Sequence, residues 1–435
     1  MAATRTILAC VLLPAIALCS LTRAGQRAPV NTRAEFFKFD AGYRAKIGVL
    51  RKKIDALQTN VQALEAEGKP ARCAAQMLTE LRWRAANTAD FIGVERQAVT
   101  LVDEIARRRS GEADRVDAQD ASDGAWGRCY TEWFLRLDAS YDAISELGQK
   151  PPASRAAFLD RVNDPDALEA ALRRGFVSNI AADGINRRRE YNTLISDVMR
   201  LVLADRPIGY AWKTGVKQRM LALIHGDLRN PETGMWGVRH VINGAPVYAD
   251  DISITFHIVK YLNGAISDWP KLIDGLIAIR DLPYPQGWRQ EDRYLNHDIY
   301  DVATLFRMGW RHASEAQRAA IRREVKALLE WSLATTIRSD GSVVLDRNDD
   351  SIETAYYFAI GFLDEVGYFD PRKRFWTDER FPAGPALANA MRAKIEAALK
   401  NGAGGEGGVY YRSALQRLAA AEQPGAVPNT TTTPD

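Results

Sequence analysis

The sequence predicts an all-α protein, with an N-terminal long helical hairpin followed by an α/α toroid, an incomplete barrel of helix pairs. Three observations carry this. Apolar residues recur at helical spacing over most of the chain, strand signal is thin, and no alternation of strands with helices supports a parallel sheet. From Tyr210 onward, amphipathic stretches near 213–225, 249–263, 270–280, 296–309, 314–336, 351–366 and 385–400 are separated by loops rich in Gly, Pro and Trp. Repeated helix pairs joined in this way place their inner members around a central cavity.

Residues 1–24 read as a secretory signal. Arg5 supplies the positive start, Ile7 to Leu21 the apolar stretch, and Thr22-Arg23-Ala24 small residues at −3 and −1 of a cleavage site. The apolar run is too short to span a membrane, so cleavage near Ala24 and a periplasmic or secreted location are expected. Ile16-Ala17-Leu18-Cys19 departs from a lipobox at Leu18, where a small residue belongs, which argues against lipidation at Cys19. Of four cysteines, Cys10 and Cys19 lie inside the signal, leaving Cys73 and Cys129 as a pair in an oxidising compartment and hence an expected disulfide.

Ile47, Leu50, Ile54, Leu57, Val61 and Leu64 are spaced as an a/d seam that Gly68-Lys69-Pro70 must end. A second helical pattern from Ala71 to Arg109 follows, with Met77, Leu81, Ile92, Val99, Val102 and Ile105 among its apolar positions. Residues 25–109 therefore read as a helical hairpin, either packed on the same chain or offering residues 43–109 to a protein partner. The polar stretch 110–125 reads as a linker, residues 126–400 as the toroid domain, and 401–435 as an extension whose Thr-rich tail from Gln423 lacks apolar content. Ser342 to Leu345 is the one candidate short strand.

Composition narrows the function. At 435 residues, 46% hydrophobic and 26% charged, the chain is an ordinary folded protein, and 58 basic against 55 acidic residues give no electrostatic footprint for nucleic acid. P-loop, dinucleotide, HExxH and G-x-S-x-G motifs are absent from the sequence, and its five histidines never fall at metal-ligand spacing. No cofactor or metal is implied.

Three segments concentrate chemistry-bearing residues. In Asn230-Pro231-Glu232-Thr233-Gly234-Met235-Trp236-Gly237, Gly234 can take the positive φ of a turn that poses Trp236 as a plug or a sugar-stacking platform. Asp250-Asp251 begins a helix on which Asp250, His257 and Tyr261 share a face, with a substrate-binding or purely capping role. The densest constellation is Gly287-Trp288-Arg289 followed by Arg293-Tyr294-Leu295-Asn296-His297-Asp298-Ile299-Tyr300-Asp301. Helical spacing puts Asn296 and Tyr300 on one face and His297 and Asp301 on the next, where Asp301 can orient the imidazole. A further acidic run, Asp346-Arg347-Asn348-Asp349-Asp350, leads to Glu353 and supplies paired carboxylates for a glycoside hydrolase, a cation site or a solvated cap.

The Asn230 loop and the Asn296-His297…Tyr300 segment resemble the α/α-toroid proteins, which include terpenoid-cyclase-like folds and polysaccharide lyases such as the alginate lyases. The resemblance implies β-elimination of a uronate-containing polysaccharide. Asn296 with Arg289 or Arg293 would neutralise the uronate carboxylate, His297 or Tyr300 would remove the C5 proton, and Tyr300 would protonate the leaving oxygen. Trp236, Asp250, Asp251, His257, Trp288 and Glu353 would bind substrate. Two other readings stand beside it: hydrolysis through Asp250 or Asp251 with Glu353, and a non-catalytic periplasmic protein that binds a glycan or a protein.

Overall fold

The computed structural model describes residues 43–113, 118–147, 150, 152–203, 209–290, 293–345, 351–401 and 408–422. The stretch 1–24 expected to be a signal, with Cys19, the acidic run 346–350 and the tail from Gln423 lie outside the described residues. The chain is mostly helical, with one small three-stranded sheet.

The N-terminal part is a bundle of three helices, α1 (Tyr43–Ala66), α2 (Arg72–Asn87) and α3 (Phe91–Arg109), where the sequence suggested two. The second helix breaks at Thr88, whose extended backbone ends α2 while its Oγ1 donates to Arg84 O at 2.9 Å. Asp90 then caps α3 by accepting from Gly93 N at 2.8 Å. That restart changes which residues face inward. Leu50, Ile54, Leu57, Val61 and Leu64 are buried as expected, against Met77, Leu81, Val94, Ala98, Leu101 and Ile105. Ile92, Val99 and Val102, read as seam positions on an unbroken helix, lie exposed instead.

The bundle is fastened to the rest of the chain. Cys73 and Cys129 form the expected disulfide, with Cα atoms 5.5 Å apart. Glu80, fully buried, accepts from Thr131 N at 2.6 Å and pairs with Arg84 Nε at 3.2 Å. Ala89 N donates to Gly184 O at 2.9 Å, and Asn186 N to Asn87 O at 2.8 Å. The described residues of the expected linker are held too. Gln119 exchanges two hydrogen bonds with Ser154, and Arg136 bridges Asp120 and Asp123.

The remainder begins with α4 (Trp133–Leu147) and α5 (Pro165–Phe176), which leads into β1 (Val177–Ser178). Next comes α6, built of Arg188–Thr193, a π-helical turn Leu194–Val198 and Met199–Leu203, and then α7 (Val216–His225). A hairpin of β2 (Gly237–Ile242) and β3 (Ala245–Asp250) follows, turning at Asn243-Gly244, with β1 parallel to β2. The sequence reading placed this hairpin in loop and helix. Ser342 to Leu345 forms no strand, only a bridge between Val343 and Ile337.

From there helices alternate in two series: α8 (Ile252–Tyr261), α9 (Trp269–Ala278), α10 (Asn296–Gly309), α11 (Glu315–Thr335), α12 (Ile352–Glu365), α13 (Gly384–Lys400) and α14 (Gly408–Glu422). Each of α6, α8, α10, α12 and α14 packs against the next in that series, while α7 packs against α6, α9 and α11 against α10, and α13 against α14. A large core joins the two layers, including Met220, Leu272, Phe306, Ile321, Phe362 and Met391. α14 belongs to this architecture although the sequence reading ended the domain at residue 400.

The disulfide closes a loop spanning 56 positions. Chain restriction of that size is worth about 4 kcal/mol. Replacing both cysteines with Ala is expected to lower the denaturant midpoint and, because the unfolded chain is freed to expand, to steepen the slope; an unchanged midpoint would count against this role.

Candidate functional site

Polar and ionisable side chains from α6, α8, α10, α12 and α14 converge where these helices face one another. The junction of the first two is set by Asp251. Its carboxylate caps α8 by accepting from Ile254 N at 3.0 Å, and takes a two-pronged bond from Arg188, Nε at 2.6 Å and Nη2 at 3.0 Å. Arg188 keeps 27% of its side-chain surface while Asp251 keeps 1%. Burial works against the guanidinium charge, but Asp251 outweighs it and raises the Arg188 pKa.

On α8, His257 Nδ1 lies 2.8 Å from Tyr261 Oη, the face that helical spacing predicted. Burial pulls the His257 pKa well down, and Lys260, Arg200, His297 and Arg188 pull it further. The imidazole is therefore neutral near pH 7. Arg200 of α6 lies over the Tyr261 ring at 5.1 Å and over Tyr141 at 4.4 Å. Burial, then Arg417 and Arg200, depress the Lys260 ammonium as well.

On α10, His297 stacks on Phe358 with centroids 4.2 Å apart, and its Nδ1 lies 3.9 Å from Asp298 Oδ1. Burial first, then Arg188, bring its pKa down to about 4, yet 41% of its side chain is open. Arg188 acts on both imidazoles and His297 acts on His257, so these groups neighbour one another. Asp301 does not orient His297. It receives Tyr284 Oη at 3.5 Å, and burial with Asp298 nearby raises its pKa well above the usual carboxylate range.

Tyr300 turns the other way. Its Oη accepts from Arg417 Nη2 of α14 at 2.8 Å and lies 3.5 Å from Lys260 Nζ, and only 1% of the residue is exposed. Burial pushes the phenol up to about 12 against the pull of Arg417. Arg417 also approaches Glu365 at 3.5 Å, which pairs with Arg307. Burial opposes the Glu365 charge, but Arg307 and Arg417 prevail and hold its pKa below the ordinary value.

Other sequence-selected residues lie elsewhere. Trp236 and Trp288 are wholly buried, their indole N–H groups donating to Ile224 O at 2.8 Å and Leu276 O at 3.1 Å, so neither offers a face to a sugar ring. Gly234 takes the expected positive φ of 71°. Asp250 receives Asn230 Nδ2 at 2.8 Å and closes the Trp236 loop. Asn296 directs its Oδ1 to Ser332 at 2.9 Å and Thr336 at 3.3 Å on α11, away from Tyr300's partners. Arg289 pairs with Asp281 at 3.1 Å and covers the Tyr294 ring, and Arg293 forms a bridge with Gln290. Glu353 lies half-buried in the first turn of α12, close enough to Tyr411 to raise its pKa, though burial is the larger cause.

The structure thus brings together His257, Tyr261 and His297 with Arg188, Arg200, Lys260 and Arg417. Those four cations were missed because isolated Arg and Lys residues on amphipathic helices carry no sequence mark of burial. Among the described residues no group of three or more His, Cys, Asp or Glu side chains forms a metal-holding cluster. No family model matches the chain, and neither does any curated protein or solved structure.

Substituting Trp236 or Trp288 with Ala is expected to cost about 3–5 kcal/mol of stability, read by chemical denaturation. Unchanged stability would reopen a ligand-facing role for either indole.

Proposed function

We propose that the protein is an exported enzyme that cleaves a uronate-containing polysaccharide by β-elimination at this cluster of histidines and cations, and that its two helical series are the arc of an α/α toroid. The observation that carries the reading is the 2.8 Å contact of His257 Nδ1 with Tyr261 Oη, set among cations and facing a second neutral imidazole, His297. Elimination needs those three elements together. A cation draws charge from the uronate carboxylate and acidifies the C5 proton. A neutral base removes that proton, the C4–O4 bond breaks as the C4=C5 bond forms, and a hydroxyl returns a proton to the departing oxygen.

In this scheme Arg188 and Arg200 attract the carboxylate, His297 takes the C5 proton, and Tyr261, oriented by His257, protonates O4; after the product leaves, His297 releases its proton to solvent and Tyr261 regains one from it. Tyr300, given the acid role from the sequence, serves instead as the buried acceptor of Arg417. Hydrolysis through Asp250 or Asp251 has less support, because Asn230 and Arg188 already occupy those carboxylates. The disulfide is compatible with an oxidising compartment.

The test is the ultraviolet absorbance of the new double bond with a panel of uronate polysaccharides. The rate is expected to fall by two orders of magnitude or more in His297→Ala and Tyr261→Phe, with unchanged far-UV circular dichroism. A flat trace, with no reducing ends released, would favour a binding protein. The pH profile supplies an independent check. A base with its pKa lowered to about 4 is neutral above that pH, so the acidic limb should fall near pH 4. An ordinary histidine would place it near 6.5.

A further inference from the structure

A cavity of about 550 Å³ opens beside the sheet. It is lined by Arg173 and Phe176 at the end of α5, Asp227 after α7, Arg229, and Arg239 and Tyr248 facing each other across β2 and β3. The charge balance is uneven, with three guanidiniums and one carboxylate, and Asp227 is engaged by Arg173 at 2.8 Å. Arg239 lies between two rings, 4.4 Å from the Tyr248 centroid and 5.1 Å from Phe176, and donates Nη2 to Tyr248 Oη. Its Nε is buried without an acceptor. Arg229 donates Nε to Gly234 O at 2.7 Å and Nη1 to Ser267 Oγ at 3.0 Å, leaving Nη2 buried without an acceptor. Burial holds the Arg229 pKa below its usual value, opposed only by the field of Asp268.

Neither Arg229 nor Arg239 has an ion-pair partner among the described residues. Part-buried cations without counter-ions are costly, and guanidiniums that line a cavity can offer an oxyanion charge-assisted hydrogen bonds. The cavity is much larger than an inorganic anion, and Phe176 and Tyr248 give it an apolar wall beside the charge. A ligand that fits both has a carboxylate and a ring with apolar faces.

We infer that this cavity is a second glycan subsite, in which Arg229, Arg239 and Arg173 hold the carboxylate of an acidic sugar. The inference rests on the uronate reading for its ligand, but not on the elimination chemistry.

The experiment is calorimetric titration of the full chain carrying His297→Ala, which prevents turnover, with a uronate tetrasaccharide, its carboxyl-reduced neutral counterpart and sodium phosphate. Binding of the uronate is expected to weaken about tenfold or more on adding Arg239→Gln, less with Arg239→Lys, and similarly with Arg173→Gln, at unchanged circular dichroism. The neutral oligosaccharide should bind far more weakly. Unchanged affinity and stoichiometry in Arg239→Gln and Arg173→Gln would overturn the proposal, as would phosphate binding as tightly as the tetrasaccharide, which would mark a general anion site. Absence of elimination in the unmodified protein would sink the lyase reading while leaving this titration decisive for the cavity.

Discussion

The carboxylate of Asp251 holds the arrangement together at the point where most depends on it. It lies at the exit of β3, starts α8 by capping it, and grips the guanidinium of Arg188, the first residue of α6. Its backbone N–H donates to Trp236 O at 2.9 Å, tying in the loop that delivers β2. One buried group thereby fixes the sheet, two helix starts and a cation that acts on both His257 and His297. Removing one partner of such a pair leaves an uncompensated charge, at a cost of about 3–5 kcal/mol. The rest of the polar interior is registered against that joint.

The interior carries more charge than stability requires. Arg307, Arg417 and Lys373 are matched against Glu365 and Asp364, at 2.7 Å for Lys373 with Asp364, and these pairs surround Tyr300 with cations. Buried ion pairs rarely add stability over well-packed apolar residues. What they do here is preset an electrostatic field. The two histidines owe their lowered pKa values to other groups: burial first, then Arg188 on both and Lys260 and Arg200 on His257.

What the sequence disclosed follows the physics of local against distant effects. The limits of α10 could be read to the residue, because apolar spacing, the polar segment before Asn296 and Gly309 all agree. The disulfide was legible because only two cysteines remain outside the signal. The break at Thr88 was not, although Asp90 three positions before Gly93 carries a capping signal, because the apolar positions around it masked the interruption. Asn243-Gly244 was a hairpin turn in plain sight, overlooked because the flanking residues looked helical. In the site, the contact of His257 with Tyr261 is a matter of helical spacing and was visible. That Asn296 bonds to Ser332 while Tyr300 bonds to Arg417 depends on which helices flank α10, and no local pattern encodes that. Arg417 lay beyond the assigned domain end.

Arg417 has a consequence for the order in which the molecule is made. It sits on the last described helix, yet reaches Tyr300 on α10 and Glu365 on α12. Synthesis runs from the N-terminus and structure forms as chain becomes available. Tyr300 is therefore synthesised 117 positions before the guanidinium it accepts from, and the electrostatic environment around it depends on a contact of very long sequence separation.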